Sequence, residues 1–177
     1  MKEYKLPIGC DVPETIILAD GDFPSHPLAL EWLRQCPYVV CCDGAANTYI
    51  RSGRMPEAIV GDGDSLLPDI KERYASLIHS EAEQETNDLS KAFRFCLSQE
   101  RRRITIMGAT GKREDHTIGN VSLLADYMEQ AEVSMMTDYG IFVPIREDSM
   151  FESYIGQQIS VFNMNSTCLL YTSDAAD

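Results

Sequence analysis

The sequence predicts an α/β protein built on a doubly wound, mostly parallel sheet. Short runs of apolar and β-branched residues recur along the first 130 residues, and amphipathic stretches with helical spacing separate them. Continuous apolar runs are typical of strands that are buried on both faces of a parallel sheet. Regular alternation of strand and helix implies right-handed crossovers between neighbouring parallel strands.

Strands are predicted wherever an apolar run is too short for a helix. Each run is continuously apolar, so helices should cover both of its faces. The predicted strands are Thr15–Ala19, Tyr38–Cys42, Ala58–Val60, Ser76–His79 and Ile104–Met107.

Helices are predicted between these strands. The clearest covers Asn87–Ser98, and a second covers Asp115–Met128, with weaker patterns over Leu28–Arg34 and Ala45–Ser52. Residues that recur at i, i+3, i+4, i+7 and i+8 form the stripe that packs on a sheet. The expected buried stripes are Leu89, Ala92, Phe93, Cys96 and Leu97 in the first helix, and Ile118, Val121, Ala125 and Met128 in the second.

The pattern changes after residue 130. Glu132–Thr137, Gly140–Pro144 and Ile159–Phe162 are predicted strands with no helical pattern between them. We therefore expect an α/β catalytic domain over residues 1–130 and the beginning of a β-rich unit over residues 131–167. Residues 168–177 continue no alternation, and we interpret them as a non-native tail.

Composition excludes several classes of function. Lys and Arg number 15 and Asp and Glu number 28, so the net charge of −13 argues against a nucleic-acid partner. No apolar run approaches the roughly 18 residues that cross a bilayer, and none resembles a signal-peptide core. The six cysteines show no zinc-type spacing. We expect a cytoplasmic protein with reduced thiols and no membrane partner.

Acidic residues follow the predicted strands. Asp62 and Asp64 lie within Gly61–Ser65, directly after a strand, while Asp43 and Asp88 lie on neighbouring loops. Parallel sheets bind ligands at the carboxyl ends of their strands, where these loops meet. Four carboxylates repel one another unless a divalent cation compensates their charge, and Mg²⁺ prefers carboxylates together with phosphate oxygens. The sequence therefore predicts a magnesium site for phosphate chemistry.

Asp88 and Lys91 each have more than one interpretation. Asp88 is either a metal ligand or only a favourable charge in the first turn of a helix that Thr86 or Asn87 caps. Lys91 lies one turn further on the same edge, where it orients Asp88, contacts a phosphate, or forms an ordinary surface pair. Spacing alone does not decide between these roles.

The segment Gly108–His116 is a candidate anion site. Its two glycines and its basic residues lie at the start of a predicted helix, whose free amide groups receive anions. Arg113 is suited to binding a phosphate with two parallel hydrogen bonds. Asp115 and His116 either cap the helix or contact a substrate.

Five ordered motifs together resemble the bacterial type of the thiamine pyrophosphokinase family, over about residues 15–167. The motifs are IILADGDFP at Ile16–Pro24, CCDGAAN at Cys41–Asn47, IVGDGDS at Ile59–Ser65, QETNDLSKA at Gln84–Ala92 and GATGKREDHTIGN at Gly108–Asn120. Gly140–Pro144 and Gly156–Phe162 resemble the start of that family's second domain, a β-sandwich.

The resemblance implies a fold and a reaction. The fold is a Rossmann-like α/β sheet followed by the first strands of a truncated β-sandwich that binds thiamine. The reaction is transfer of pyrophosphate from ATP to the thiamine hydroxyl, giving thiamine diphosphate and AMP with Mg²⁺ as cofactor. In that family the enzyme is a homodimer with its active site between subunits.

The resemblance also implies roles for individual residues. The chemistry of the transfer and the helical spacing, and not the resemblance, lead us to expect that Asp64, Asp88 and Lys91 are catalytic, with either Asp64 or Asp88 accepting the proton of the thiamine hydroxyl. The metal ligands would be Asp43, Asp62, Asp64 and Asp88. Gln84 would approach the thiamine pyrimidine, and Arg113 and Asp115 would belong to the nucleotide loop. Ser65, Asn87, Gly108, His116 and Asn120 would be further substrate-binding positions.

The sequence departs from the family in one respect. The family's β-sandwich continues well past Thr167, so we expect this chain to bind ATP and to transfer pyrophosphate poorly. Two alternatives remain open: a non-catalytic nucleotide-binding fragment, and another Mg-dependent transferase that uses a nucleotide.

Overall fold

The computed structural model describes residues 1–7, 11–80 and 86–163. The chain divides into two compact units. The larger is Pro7–Arg146, and the smaller combines Met1–Leu6 with the chain from Glu147 onward. Gln84 and residues 164–177, including the predicted tail, lie outside the described residues.

Nine strands, five α-helices and one 3₁₀ helix form within the described residues. The strands are β1 Lys2–Tyr4, β2 Thr15–Leu18, β3 Val39–Cys42, β4 Ala58–Val60, β5 Ile78–His79, β6 Arg103–Met107, β7 Glu132–Met136, β8 Ile141–Phe142 and β9 Ser149–Phe151. The helices are α1 Pro27–Gln35, α2 Ala45–Arg51, α3 Pro68–Arg73, α4 Asp88–Ser98 and α5 Glu114–Tyr127, with the 3₁₀ helix at Ala75–Leu77. None of these described helices is long and apolar enough to cross a membrane.

The larger unit is a seven-stranded sheet in the order β5-β4-β3-β2-β6-β7-β8. All neighbours are parallel except β7 and β8. The chain winds outward from β2 to β5 and then returns to β6 on the other side of β2. This confirms the predicted doubly wound, mostly parallel fold, and it leaves a crevice where the winding direction reverses between β2 and β6.

Two apolar layers cover the sheet, which explains why its strands are continuously apolar. On one face, Ile17 and Ile106 pack with residues of α4 and α5, including Phe93 and Tyr127, whose rings stack at 3.9 Å. On the other face, alternate strand residues pack against α1, α2 and α3, with Trp32 among them.

The predicted stripe of α4 is confirmed. Leu89, Ala92, Phe93 and Cys96 are buried, and Leu97 is half-buried. The Asn87 side chain caps this helix by accepting a hydrogen bond from the backbone N–H of Ser90 at 2.9 Å.

The predicted stripe of α5 is wrong at Ile118 and Ala125, whereas Val121 and Met128 pack against the core as predicted. Ile118 is 70% exposed, whereas Asn120, Leu124 and Tyr127 are buried. Ala125 is exposed, and Val121 and Met128 are half-buried. The helix is turned because Asn120 forms a hydrogen bond with a loop of the site and Tyr127 stacks on α4. Apolar periodicity cannot reveal an amide that belongs on the buried face.

Two other predictions differ from the structure. Half of the expected strand Ser76–His79 belongs to the 3₁₀ helix, so only Ile78 and His79 form a strand, β5. Ile159–Phe162 forms no strand, because a strand needs a neighbour with which to pair and the described residues supply none here. Helix α3, which begins with a proline at its first turn, was not predicted.

The structure also differs from the expected start of a second unit at residue 131. Strand β7 runs parallel to β6, with Ile104 opposite Val133, and β8 extends the same sheet. The buried residues Met135 and Met136 belong to its core. The helix α5 that precedes β7 supplies an ordinary crossover, so the change in sequence pattern does not mark the end of the sheet.

The smaller unit contains a two-stranded parallel sheet of β1 and β9. The rings of Tyr4 and Phe151 stack at 4.6 Å, and the backbone N–H of Leu6 donates to the Glu152 carboxylate at 3.0 Å. Both strands are short and partly exposed. They therefore lack the apolar run from which strands are predicted.

Candidate active site

A cleft of about 470 Å³ opens at the carboxyl ends of the central strands. It lies at the reversal between β2 and β6, the position where open α/β sheets bind their ligands. The residues that line it are Ala19, Asp20, Gly21, Cys42, Ser65, Asn87, Asp88, Leu89, Ala109, Gly111, Lys112, Arg113, His116 and Asn120.

The loops after β2 and β6 approach each other closely beside the cleft. The backbone N–H of Gly21 donates to Gly108 O at 2.6 Å, and the N–H of Asp22 donates to Thr110 O at 2.9 Å. A Cβ at Gly21 would lie 2.3 Å from Thr110 O. Gly108 has a φ of +64°, which glycine adopts most readily. Glycine is therefore required for the two loops to lie in contact.

Asp43 is the most buried of the predicted metal ligands, with 4% of its surface exposed. Its Oδ2 accepts a hydrogen bond from the Ser65 N–H at 3.1 Å, while Oδ1 has no hydrogen-bond partner among the described residues. Burial raises the pKa of Asp43, and the negative charges of Asp88, Asp62 and Asp20 raise it further. An ionised carboxylate in this position needs a compensating cation.

The loop Gly61–Ser65 packs directly against this carboxylate. Gly61 has a φ of +152°, and a Cβ there would lie 2.8 Å from Asp43 Cβ. Within the loop, Asp62 Oδ1 accepts a hydrogen bond from the backbone N–H of Asp64 at 3.1 Å. The Asp62 and Asp64 side chains are exposed, and neither lines the cleft.

Two side chains from outside the loop hold it in place. Lys71 Nζ donates to Gly63 O at 2.9 Å. Asn47 donates to Ser65 O at 2.8 Å and accepts from the Leu67 N–H at 3.0 Å. The loop is therefore fixed by helices α2 and α3, and neither residue was predicted to support the site.

The carboxylates share one edge of the sheet without forming a closed metal site. Among the described residues, no three side chains of His, Cys, Asp or Glu are close enough to hold a metal ion. The donor set nevertheless suits a hard divalent cation. The unpartnered Oδ1 of Asp43 and the mutual repulsion of its neighbours are the conditions that such a cation relieves.

Lys91 is a buried partner of Asp88. Only 7% of Lys91 is exposed, and its Nζ lies 3.1 Å from Asp88 Oδ1. The interpretation as an ordinary surface pair is therefore wrong. A buried ammonium group is tolerated when it is paired, so Lys91 fixes the orientation of a carboxylate at the edge of the cleft.

An uncharged chain of hydrogen bonds links α4, α5 and the loop after β6. Asn87 Nδ2 donates to Asn120 Oδ1 at 3.3 Å, and Asn120 Nδ2 donates to Ala109 O at 2.8 Å. Asn87 at the same time caps α4. These contacts explain why an asparagine occupies the buried face of α5.

Arg113 and Asp115 form a pair with two hydrogen bonds at the start of α5. The Nε–Oδ1 distance is 3.1 Å and the Nη2–Oδ2 distance is 2.5 Å. These bonds raise the pKa of Arg113 and lower the pKa of Asp115. Both side chains are largely exposed, and the nearby His116 also lines the cleft. The Asp115 carboxylate therefore accepts the two hydrogen bonds that the Arg113 guanidinium group was predicted to donate to a phosphate.

Sequence reasoning gave no individual role to Asp20 or Lys112. Lys112 Nζ lies 3.0 Å from both the backbone oxygen and Oδ1 of Asp20, and both residues line the cleft. Asp20 lies just after β2, as Asp43 lies just after β3. This position at the end of a strand is the sequence signal that could have identified Asp20 as a site residue.

The predicted site residues divide into two groups by their position. Those that line the cleft are Ser65, Asn87, Asp88, Arg113, His116 and Asn120. Those on the adjoining loops and elements are Asp43, Asp62, Asp64, Lys91, Gly108 and Asp115. Gln84 lies outside the described residues.

The chain is similar to known proteins over most of the larger unit. The family model described as thiamin pyrophosphokinase, catalytic domain, matches residues 29–136, and the model described as thiamin pyrophosphokinase, substrate-binding domain, matches residues 140–173. Thiamine pyrophosphokinase 1 of Oryza sativa subsp. japonica is 30% identical over 129 residues, which cover 59% of this chain and 49% of the relative. The chain spans about half the length of the curated relatives it matches.

Solved structures have the same fold. Yeast thiamin pyrophosphokinase matches with a TM-score of 0.61 and 18% identity, covering 77% of this chain and 63% of that structure. Thiamin pyrophosphokinase from Geobacillus thermodenitrificans matches with a TM-score of 0.57 and 27% identity, covering 69% and 58%. The likeness to the yeast structure concerns the fold alone.

Proposed function

Because the chain belongs to the thiamin pyrophosphokinase family, we propose that it transfers an intact pyrophosphate group from ATP to the hydroxyl of thiamine, forming thiamine diphosphate and AMP. The observation that carries this proposal is the cleft between β2 and β6, which has carboxylates on one side and a cationic loop with a helix start on the other. A nucleotide that binds together with a divalent cation needs carboxylates for the cation and positively charged or N–H groups for its phosphates.

The nucleotide phosphates are assigned to the loop Gly108–Arg113 and the first turn of α5. Free amide groups at a helix start favour an anion, and this helix has 14 residues. Arg113 would exchange Asp115 for a phosphate, because its planar group binds either partner with two hydrogen bonds. Gly108 and His116 would complete this side.

Asp43, Asp62, Asp64 and Asp88 are assigned to Mg²⁺. When bound, the ion supplies neutralisation of the charge that develops on the phosphate oxygens. Asp43 offers an unpartnered and buried oxygen. The bonds from Ser65, Asn47 and Lys71 hold that side of the cleft in place before a ligand arrives.

The transfer step needs alignment and a proton acceptor. The thiamine hydroxyl oxygen forms a bond to the β-phosphorus, the bond from that phosphorus to the AMP oxygen breaks, and the hydroxyl proton passes to a carboxylate. We favour Asp88 over Asp64 as the acceptor, because Asp88 lines the cleft and Lys91 fixes its position.

Thiamine is assigned to the acidic side of the cleft. Its cationic ring is attracted by a chain with a net charge of −13. Ser65, Asn87 and Asn120 offer polar groups at the cleft, and Gln84 remains assigned to the pyrimidine by family resemblance. We further propose that the segment after Gly140 begins the thiamine-binding domain, and that the protein is a cytoplasmic homodimer without a nucleic-acid partner.

Product analysis tests the proposal. Purified protein is incubated with Mg²⁺, ATP and thiamine, and AMP and thiamine diphosphate are measured by chromatography. We expect both products in equal amounts, and a loss of about 100-fold in Asp88→Asn. Release of inorganic phosphate or a nucleoside diphosphate would instead indicate another Mg-dependent transferase.

Nucleotide binding without turnover is a second candidate function. It is favoured by the extent of similarity, since the chain spans about half the length of its curated relatives. Calorimetry that detects Mg-ATP binding, combined with no formation of AMP, would support it over the transferase.

A further inference from the structure

The two cations of the loop after β6 are both paired, but with partners of different origin. Arg113 binds Asp115, which is two residues away on the same segment. Lys112 binds Asp20, which lies 92 residues away on the loop after β2. The Lys112–Asp20 pair therefore crosses the crevice between the central strands, where the nucleotide site is proposed.

The geometry of this pair makes it easy to exchange. Lys112 Nζ lies 3.0 Å from the backbone oxygen of Asp20 and 3.0 Å from its Oδ1. The side chains of Lys112 and Asp20 are 55% and 44% exposed. Ion pairs with this much exposure to water contribute little to stability. A ligand that carries several negative charges can therefore replace the carboxylate at little cost.

The backbone places the ammonium group at the cleft in spite of strain. Lys112 has a φ of +56° and follows Gly111, which has a φ of +77°. A residue with a side chain is disfavoured in this left-handed region, and such strain concentrates at functional positions. Glycine would relieve it but would supply no charge.

Asp20 connects the cationic loop to the carboxylates. A Cβ added at Gly44 would lie only 2.5 Å from Asp20 Oδ2. The Asp20 carboxylate therefore packs against Gly44, the residue that follows Asp43. The charge of Asp20 is among those that raise the pKa of Asp43. A change of partner at Asp20 therefore changes the electrostatic environment of Asp43 on the opposite side of the cleft.

We propose that Lys112 is a phosphate-binding residue and that Asp20 is its resident counter-ion, which a polyphosphate displaces. This inference rests on the proposed nucleotide site. Once displaced, the Asp20 carboxylate is free beside Asp43 and adds to the negative charge there. Binding of a polyphosphate and binding of a divalent cation should therefore favour each other.

Titration of variants with inorganic tripolyphosphate and with ATP, both in EDTA, tests this. Lys112→Met should weaken binding of both ligands about tenfold, as expected for one lost charge-assisted hydrogen bond. Lys112→Gly should weaken it equally, and its fit to the left-handed backbone keeps the loop intact. Asp20→Asn should strengthen metal-free binding several-fold, because the competing charge is gone. Lys5→Met, which makes the same charge change on the smaller unit, is the control and should bind as the parent does.

The outcomes separate this proposal from the proposed function. If the parent chain binds neither ligand in EDTA and does not bind Mg-ATP either, both proposals fail. If it binds Mg-ATP but neither metal-free ligand, only the proposal for Lys112 and Asp20 fails. If the parent binds them and Lys112→Met binds equally well, only the role of Lys112 fails. Normal binding by Lys112→Gly beside weak binding by Lys112→Met would trace the effect to the backbone and overturn the role of the charge. Weaker metal-free binding by Asp20→Asn would overturn the role of Asp20 as a counter-ion.

Discussion

The two sides of the cleft solve opposite electrostatic problems. On the acidic side, Asp43 is buried, is fixed by its neighbours and has an oxygen without a partner. On the cationic side, Lys112 and Arg113 are exposed and already paired with carboxylates. At Asp43 the acidic side is rigid and has an oxygen without a partner, whereas the cationic side is neutralised and exchangeable. Under the proposed function, a cation would bind directly at the acidic side. An anion would bind the cationic side only by replacing the carboxylates that are paired with Lys112 and Arg113.

Removing the charge of the acidic side should have the largest effect. We expect Asp43→Asn to lower formation of AMP and thiamine diphosphate at least about 100-fold, because a ligand of the proposed cation is lost. Asparagine tolerates the φ of +33° at this position, so the metal-free protein should be as stable as the parent or more so. Retained activity together with a lower Tm would make Asp43 structural only.

Separating the loops that join the two sides should have the next largest effect. A Cβ at Gly21 would meet Thr110 O at 2.3 Å and Gly108 O at 2.4 Å. Gly21→Ala should therefore destabilise the fold by about 2–3 kcal/mol in urea unfolding. Gly119→Ala is the matched control, because its added Cβ meets nothing within 4 Å inside α5. It should stabilise by about 0.5–1 kcal/mol.

Changing the exposed cation should affect binding more than folding. Arg113→Lys keeps the charge but loses the planar group, so we expect the KM for ATP to rise about tenfold. Tm should stay within about 2 °C of the parent value, since the Arg113–Asp115 pair is largely exposed. A large fall in Tm with an unchanged KM would assign Arg113 to stability.

The smallest expected effect is a pH dependence that differs between the two sides. The folded-state pKa of Asp43 lies above its unfolded value of 3.8, so its ionisation costs stability as pH rises through the folded pKa. Asp43→Asn should therefore have a higher Tm than the parent at pH 7, with the difference vanishing below pH 3.8.

The opposite sign applies to Asp115. Its pKa is lowered by Arg113, so its contribution is present above the unfolded pKa and is lost as pH falls through the folded value. The Tm of Asp115→Asn should therefore differ from that of the parent only at pH values above this titration range. The difference should be small because the pair is exposed. Thermal scans of both variants from pH 3 to pH 7 measure this contrast. Parallel curves for the two variants would contradict it.

Local patterns were sufficient to predict the sheet but not the position of every helix. The strands β2, β3, β4 and β6 are apolar because helices cover both faces, and this leaves a direct sequence signal. Helix α5 lacks that signal, since its orientation depends on an amide contact and a ring stack from other elements. The short pair β1 and β9 depends on residues far apart in sequence.

The same division holds for the candidate site. Asp43, Asp88 and Arg113 could be predicted because polar residues follow strands or begin helices at one sheet edge. The burial of Lys91 and the pairing of Lys112 with Asp20 could not, because each depends on how separate loops approach in three dimensions. Spacing identifies candidates, whereas packing determines their partners.

The chain of amides from Asn87 through Asn120 to Ala109 has a consequence for how the cleft behaves during a reaction cycle. Each of its members is neutral at every pH that the protein meets, so a change of pH does not change the charge of any group in the chain. It ties the start of α4, where Asp88 lies, to the loop that leads to Lys112. Under the proposed function, this link would join Asp88, the proposed proton acceptor, to the loop that carries the proposed phosphate-binding residues.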